Sequence, residues 1–173
     1  MTAMIAIAIA CLAYVLWAYN RLVVHRNRIR NAWAQIDVQL HRRSELVPNL
    51  VACVKGTIAY EREALKSIAE MRRQTHVAAS DIAARALAEN YLARSLSAVT
   101  AEAALQLRAN QNFLALQEEL RSSENRIAFA RQHYNDCVMR YNAAVSSLPT
   151  NVVARLFAFG PATMLQASGS AAG

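Results

Sequence analysis

The stretch from Asn20 to Thr57, NRLVVHRNRIRNAWAQIDVQLHRRSELVPNLVACVKGT, decides the fold because it joins a membrane-length apolar segment to a long amphipathic one. Its apolar residues fall at Leu22, Ile29, Trp33, Ile36 and Leu40, then at Val47, Leu50 and Val54, and the pattern continues to Ile58, Leu65 and Ile68. Steps of three and four put these residues on one stripe of a helix that packs against other helices near coiled-coil geometry. Arg26, Arg43 and Glu61 fall in the same phase, which predicts pairing, snorkelling or interruption there rather than a dry seam. Pro48 lacks the N–H that an interior helical position needs, so a kink near Val47 to Asn49, or a restart with Pro48 in the first turn, is expected.

Working outward toward the N-terminus, Ala3 to Tyr19 (AMIAIAIACLAYVLWAY) carries no charge, and with Met1 and Thr2 the run reaches 19 residues. As a helix it spans about 28 Å at 1.5 Å per residue, a match for a bilayer core. Trp17 and Tyr19 sit at its edge, where amphipathic rings prefer the interface, and Arg21, Arg26, Arg28 and Arg30 follow. These six residues are the expected membrane interface. A cleaved signal peptide is disfavoured, because no positive region precedes the apolar run and the run continues past Cys11. The positive-inside rule then places the short N-terminus outside and the bulk of the chain in the cytoplasm.

The net charge of +7 is concentrated: Arg21 to Arg43 holds six arginines against the single acid Asp37, so +5 lies in that one segment. A basic cluster next to an apolar span reads as a topology signal and a contact to anionic lipid, whereas nucleic-acid binding needs a basic face on the remainder, where charge nearly balances. Ala, Leu and Val dominate, only four Gly and three Pro occur, and no alternating β-branched tract appears, which points to an all-α chain.

Toward the C-terminus, Arg72 to Ala79 loses the stripe and turns polar, and Ser80 with Asp81 offers an N-cap to a helix carrying Ile82, Leu87, Leu92, Leu96 and Val99. The next turn is expected near residues 104 to 110, with Asn110 or Asn112 as the following cap. A third long helix is marked by Phe113, Leu116, Leu120, Ile127, Tyr134, Val138, Tyr141, Val145 and Leu148, and Pro149 ends it. Asn151 can cap a short amphipathic segment whose Val152, Val153, Leu156, Phe157 and Phe159 form an apolar face for lipid or for the bundle. The expected fold is therefore all-α: a single transmembrane anchor over 1–20, an antiparallel bundle of three long helices over 21–149, a short amphipathic helix over 150–160 and a disordered tail over 161–173.

Chemistry is harder to find. The twelve acids are scattered or lie on exposed helix faces, and Asp37, beside the Trp33 and Ile36 stripe, reads as an ion-pair partner of Arg30, Arg42 or Arg126 before it reads as a catalytic group. His25, His41, His76 and His133 share no metal-binding spacing, and Cys11, Cys53 and Cys137 read as small buried hydrophobes without a disulfide or zinc pattern. No catalytic, cofactor-binding or metal residue is expected, and no small-molecule substrate. The recurring Asn31, Asn49, Asn112, Asn125, Asn135, Asn142 and Asn151 are either buried amides that fix helix register or ordinary surface residues.

Two long segments carry a family resemblance. RNRIRNAWAQIDVQLHRRSELVPNLVACVKG, residues 26–56, and ANQNFLALQEELRSSENRIAFARQHYNDCVMRYNAAVSSLPTNVVARLFAF, residues 109–159, resemble the two hallmark segments of LemA family proteins. The resemblance implies a membrane-anchored, cytoplasmic helical bundle in bacteria without established enzymatic activity, some relatives taking part in magnetosome biogenesis, where membranes are remodelled. Where the family often has a Tyr-Pro pair before a Leu-Lys-Ala-Asn stretch, this chain has Ala104 and Leu105 ahead of Gln106 to Asn110. The expected role is a scaffold or interaction protein at the cytoplasmic face of the bacterial inner membrane, self-associating or recruiting an unidentified partner and touching lipid. The alternative is a transmembrane sensor or regulator signalling through the bundle. Trp33, Asp37, Arg42, Arg43, Pro48 and Asn49 are the candidate interaction or switch residues.

Overall fold

A computed structural model describes residues 1–55, 70, 82–107 and 109–165. The described residues are helical with connecting turns: α1 spans Thr2–Lys55, α2 Ile82–Gln106, α3 Gln111–Ser146 and α4 Thr150–Leu156. The all-α expectation is met. The polar stretch at 72–79, the cap at Ser80 and Asp81, and the stripe residues Ile58, Glu61, Leu65 and Ile68 lie outside the described residues.

The apolar run and the first amphipathic segment are one helix, α1, and Pro48 sits inside it without a restart. Asn110 is the N-cap of α3: its Oδ1 accepts the Asn112 and Phe113 N–H groups at 3.0 and 3.2 Å. An Asn side chain relieves first-turn donors that have no carbonyl one turn back, so the helix begins there although no Gly or Pro marks the turn.

Two compact units divide the chain, and each has its own core. In the unit built largely from Ile36–Phe129, α1, α2 and α3 share an apolar centre of Val47, Leu50, Val54, Leu92, Leu96, Val99, Phe113 and Leu120, joined by Leu107 from the α2–α3 connection. Each fully buried Leu, Val or Phe here contributes about 1.5–3 kcal/mol through removal of apolar surface from water. All except Leu107 were stripe positions in the sequence, so the three-four periodicity located this core.

In the unit built from Met1–Gln35 and Ala130–Met164, Ala18 and Leu22 of α1 pack with Tyr141 of α3, Val153 and Ala154 of α4, and Phe159. The two chain directions oppose one another, because Tyr14 meets Thr150 while Trp33 meets Tyr134. The expected antiparallel pairing is present within this unit. Beyond α4 the chain returns along α3. Tyr141 donates its hydroxyl to the Gly160 carbonyl at 2.9 Å, Asn142 bonds both the Ala162 carbonyl and its N–H at 2.9 and 2.8 Å, and Tyr134 donates to the Thr163 carbonyl at 3.2 Å. The expected disordered tail therefore needs correction over 161–165: low sequence complexity misled, because the ordering groups belong to α3 rather than to the segment itself. Residues 166–173 lie outside the described residues.

Helix α4 also departs from expectation at both ends. It begins at Thr150 after Pro149, so Asn151 lies inside its first turn and is not the cap. It stops at Leu156 because Ala158 turns left-handed, with φ of 55°. The Ala158 N–H bonds the Arg155 carbonyl at 3.3 Å, and the Phe159 N–H bonds the Ala154 carbonyl at 2.8 Å. This is the paired C-terminal closure in which Gly normally takes the left-handed place, and the buried Phe159 beside buried Ala154 supplies its usual apolar contact. Alanine pays a steric penalty there that glycine does not. Ala158→Gly is expected to stabilise the protein by about 0.5–1 kcal/mol, read as a higher unfolding midpoint in detergent; a lower midpoint would contradict this account of the turn.

Candidate membrane interface

Every residue from Met1 to Ala13 is exposed, although most are apolar. Helix α1 is long and apolar enough to cross a membrane, and only 6% of its most apolar 18-residue stretch is buried. Cys11 lies on this exposed surface, which corrects its reading as a buried hydrophobe; Cys53 and Cys137 are half-buried, and all three are free thiols. A helix that is apolar all round and uncovered by protein is matched to an apolar surrounding rather than to water.

Cover from the protein's own chain begins near Tyr14. Its hydroxyl lies 3.2 Å from Thr150 Oγ1, and Tyr19 meets the rings of Phe157 and Phe159 edge-on at 4.9 and 5.7 Å. Trp17 is exposed and carries the Arg21 guanidinium 5.2 Å from its ring centre, a cation–π contact at the change from apolar to basic sequence. Arg21, Arg26, Arg28 and Arg30 are all exposed, so the six interface residues chosen from sequence stand on the surface, apart from the partial cover of Tyr19.

His25 lies half-buried among these arginines. Burial pushes its pKa below the ordinary 6.5, and the charges of Arg28, Arg21 and Arg140 push it the same way. Burial raises the phenol pKa of Tyr134 and Tyr141, with Arg26 opposing the shift at Tyr141, so both rings remain hydrogen-bond donors to the returning chain at neutral pH.

The candidate interaction or switch residues separate in the structure. Arg43 is 3% exposed and pairs with the carboxylate of Glu89, itself 4% exposed, and also donates to the Glu89 backbone carbonyl at 3.1 Å. The pairing expected of a stripe-phase arginine is present, and it points Arg43 away from any partner surface. Glu89, on α2, was not singled out in the sequence: it lies in phase with Leu92 and Leu96, and an acid within an apolar stripe is the signal that identifies it. Arg42 meets Glu119 of α3 at 3.0 Å in a half-exposed pair. Trp33 is half-buried against the edge of Tyr134, 6.0 Å between centres. Asp37 is half-buried, and Pro48 and Asn49 are exposed on α1.

Of the C-terminal set, Val153 and Phe159 are buried, while Val152, Leu156 and Phe157 are exposed. The single apolar face read from sequence is thus two faces, one turned to the protein and one away from it. Among the described residues no group of three or more His, Cys, Asp or Glu side chains is gathered as a metal-ligand set. The asparagines divide too: Asn142 is engaged with Ala162, whereas Asn31, Asn49, Asn112 and Asn125 are exposed.

A helical protein whose N-terminal helix is long and apolar enough to cross a membrane, and whose basic continuation enters a packed core, defines the class. The chain belongs to the LemA family, whose family model matches residues 32–172. No curated protein matches it.

Two outcomes are expected. Removing one partner of the buried pair, with Glu89→Gln or Arg43→Met, should cost about 3–5 kcal/mol, whereas replacing both with apolar residues of similar volume should cost much less; denaturant titration in detergent of single and double variants checks this. For His25, the unfolded chain takes up a proton near pH 6.5 that the folded protein resists, so the contribution to stability is complete above that pH and is lost as pH falls below it. The midpoint should decline on acidification more steeply in the wild type than in His25→Gln, and equal slopes would refute the assignment.

Proposed function

We propose that this LemA family protein is a membrane-anchored scaffold at the cytoplasmic face of the bacterial inner membrane, where its helices self-associate or recruit a partner protein in organising or remodelling the bilayer. The observation that carries the reading is the exposed, uncharged N-terminal part of α1, which lacks protein cover over Met1 to Ala13. The arginines that follow it support a cytoplasmic location for the remainder, since Lys and Arg flanking a span are retained on that side and meet anionic lipid. No catalytic step forms part of the proposal.

An interaction role is supported by large apolar side chains left on the outside of the unit around Ile36–Phe129: Phe129 is 73% exposed, and Val38, Tyr91 and Leu114 are also exposed. Scattered exposed apolar residues are ordinary, but large aromatics are over-represented where proteins meet. The scaffold reading ranks above a sensor because a sensor needs an element with two arrangements, and Pro48, the residue suggested for it, lies within uninterrupted helix.

The test is affinity capture of the full chain from mild detergent with the mass of the complex measured. Self-assembly or a stoichiometric partner is the expected result, and a monomer recovered alone would overturn the scaffold. A reporter fused after Gly173 should remain cytoplasmic, and its export would overturn the orientation.

A further inference from the structure

The corner between α3 and α4 presents an apolar surface that the protein's own core does not use. Leu148, at the end of the stripe read for α3, was expected to be buried, yet it lies in the turn before α4 and is 79% exposed, and Val152 and Leu156 of α4 are 63% and 73% exposed. Val152 and Leu156, four residues apart within α4, share one face of that helix, and Leu148 is exposed in the turn that leads into it. On the opposite side, Val153 and Ala154 are packed with Ala18 and Leu22 of α1.

The position of this corner along α1 is set by contacts within the same unit. Thr150 Oγ1 is 3.2 Å from the Tyr14 hydroxyl, and Phe157 lies against Tyr19. Tyr14 precedes Arg21 by seven residues, so Thr150 lies about 10 Å along the helix axis from the first arginine, on the apolar side. Helix α4 then climbs from the level of Tyr14 to that of Tyr19. If α1 crosses the bilayer from its N-terminus to the level of Trp17 and Tyr19, Leu148 and Val152 lie at the depth of acyl chains and Phe157 lies at the interface.

Composition agrees with that depth. Arg155 is the one charged side chain from Tyr141 to Gly173, and it lies toward the end of α4 that approaches Tyr19, where a long side chain reaches headgroups. Two hydroxyls and two backbone N–H groups of the corner are paired within the chain. Ser146 Oγ donates to the Asn142 carbonyl at 2.8 Å and Ser147 Oγ to the Ala143 carbonyl at 2.6 Å; the Asn151 and Val152 N–H groups bond the carbonyls of Ser147 and Pro149 at 2.8 and 3.2 Å. Backbone and hydroxyl groups paired within the chain are what a hydrocarbon surrounding demands, because it supplies no hydrogen bonds of its own.

We infer that the α3–α4 corner enters the same leaflet beside α1 as a second, non-spanning membrane contact, with Leu148, Val152 and Leu156 against acyl chains and Phe157 at the headgroup boundary. The inference rests on the proposed anchoring of α1. The occupant is lipid rather than a second copy because the corner is held at the level of the uncovered span: Thr150 meets Tyr14, and Leu12 and Leu16 on either side of Tyr14 are exposed.

Single-cysteine proteins separate the two levels of the argument. The reference retains Cys11 with Cys53→Ser and Cys137→Ser; the test proteins add Cys11→Ser and carry Leu148→Cys or Val152→Cys, and an aqueous control carries Asn31→Cys. Each is labelled with bimane and reconstituted into phosphatidylethanolamine–phosphatidylglycerol vesicles containing lipid with a nitroxide on the acyl chain. Helical circular dichroism and an unfolding midpoint matching those of the Cys11 reference, which shares the substitutions at the half-buried Cys53 and Cys137, confirm folding. The expected result is loss of fluorescence at positions 148 and 152 comparable to that at Cys11, with the Asn31 position quenched by aqueous iodide alone. Iodide quenching at 148 and 152 with lipid quenching at Cys11 would overturn the inference and leave the anchor standing. Iodide quenching at all of these positions would overturn both. Protection of 148 and 152 from both quenchers would assign the face to a second copy and likewise overturn the inference.

Discussion

An α-helix pairs its own backbone N–H and C=O groups wherever it goes, so one helix passes from an apolar surrounding into water with no change in hydrogen bonding; only its side chains must change. Helix α1, continuous from Thr2 to Lys55 and long and apolar enough to cross a membrane, has this property over its whole length. Its first part is uncharged and uncovered, its middle bears arginines outward while Ala18 and Leu22 face α3 and α4, and its last part places Val47, Leu50 and Val54 in a core with α2 and α3. Helices α2, α3 and α4 each contribute core residues that cluster with a segment of this helix.

The Arg43–Glu89 pair shows how the core tolerates a charge. Two ions taken out of water cost several kcal/mol each, and their mutual attraction offsets that cost only with good geometry and further hydrogen bonds. Arg43 meets both the carboxylate and the backbone carbonyl of the same residue, so one guanidinium serves two acceptors at a single point of α2. An apolar pair would hold α1 and α2 together at many relative shifts along their axes. A buried ion pair favours the shift at which both charges are met, a role attested for some buried polar groups that specify register.

In the unit that holds the start of α1, short-range rules and packing meet at α4. A seven-residue helix has little stability alone. It persists because Val153, Ala154 and Phe159 bury against α1 and α3, and because the reversal at Ala158 brings Phe159 back to that core. The side chains of Tyr134, Tyr141 and Asn142 then fasten the returning chain. Tyr134 and Tyr141 are buried and Asn142 lies beside them, and all three donate to the returning backbone.

Sequence alone determined the elements whose signal is local and repeated. The uncharged run, the arginines beside it, the three-four stripes and the Asn110 cap follow from transfer free energy and helical geometry, which act over a few turns and are written in spacing. Family membership was also legible, from long segments on both sides of the α2–α3 turn. Tertiary structure decided what depends on residues distant in sequence. The acid that meets Arg43 lies 46 residues away, the groups that order residues 160–163 lie on α3, and the single apolar face of the last segment divided in two because α1 covers Val153 and leaves Val152 bare. A stripe states that a residue is apolar and in phase; only the folded chain states whether another helix reaches far enough to cover it, and at Leu148 none of the described helices does.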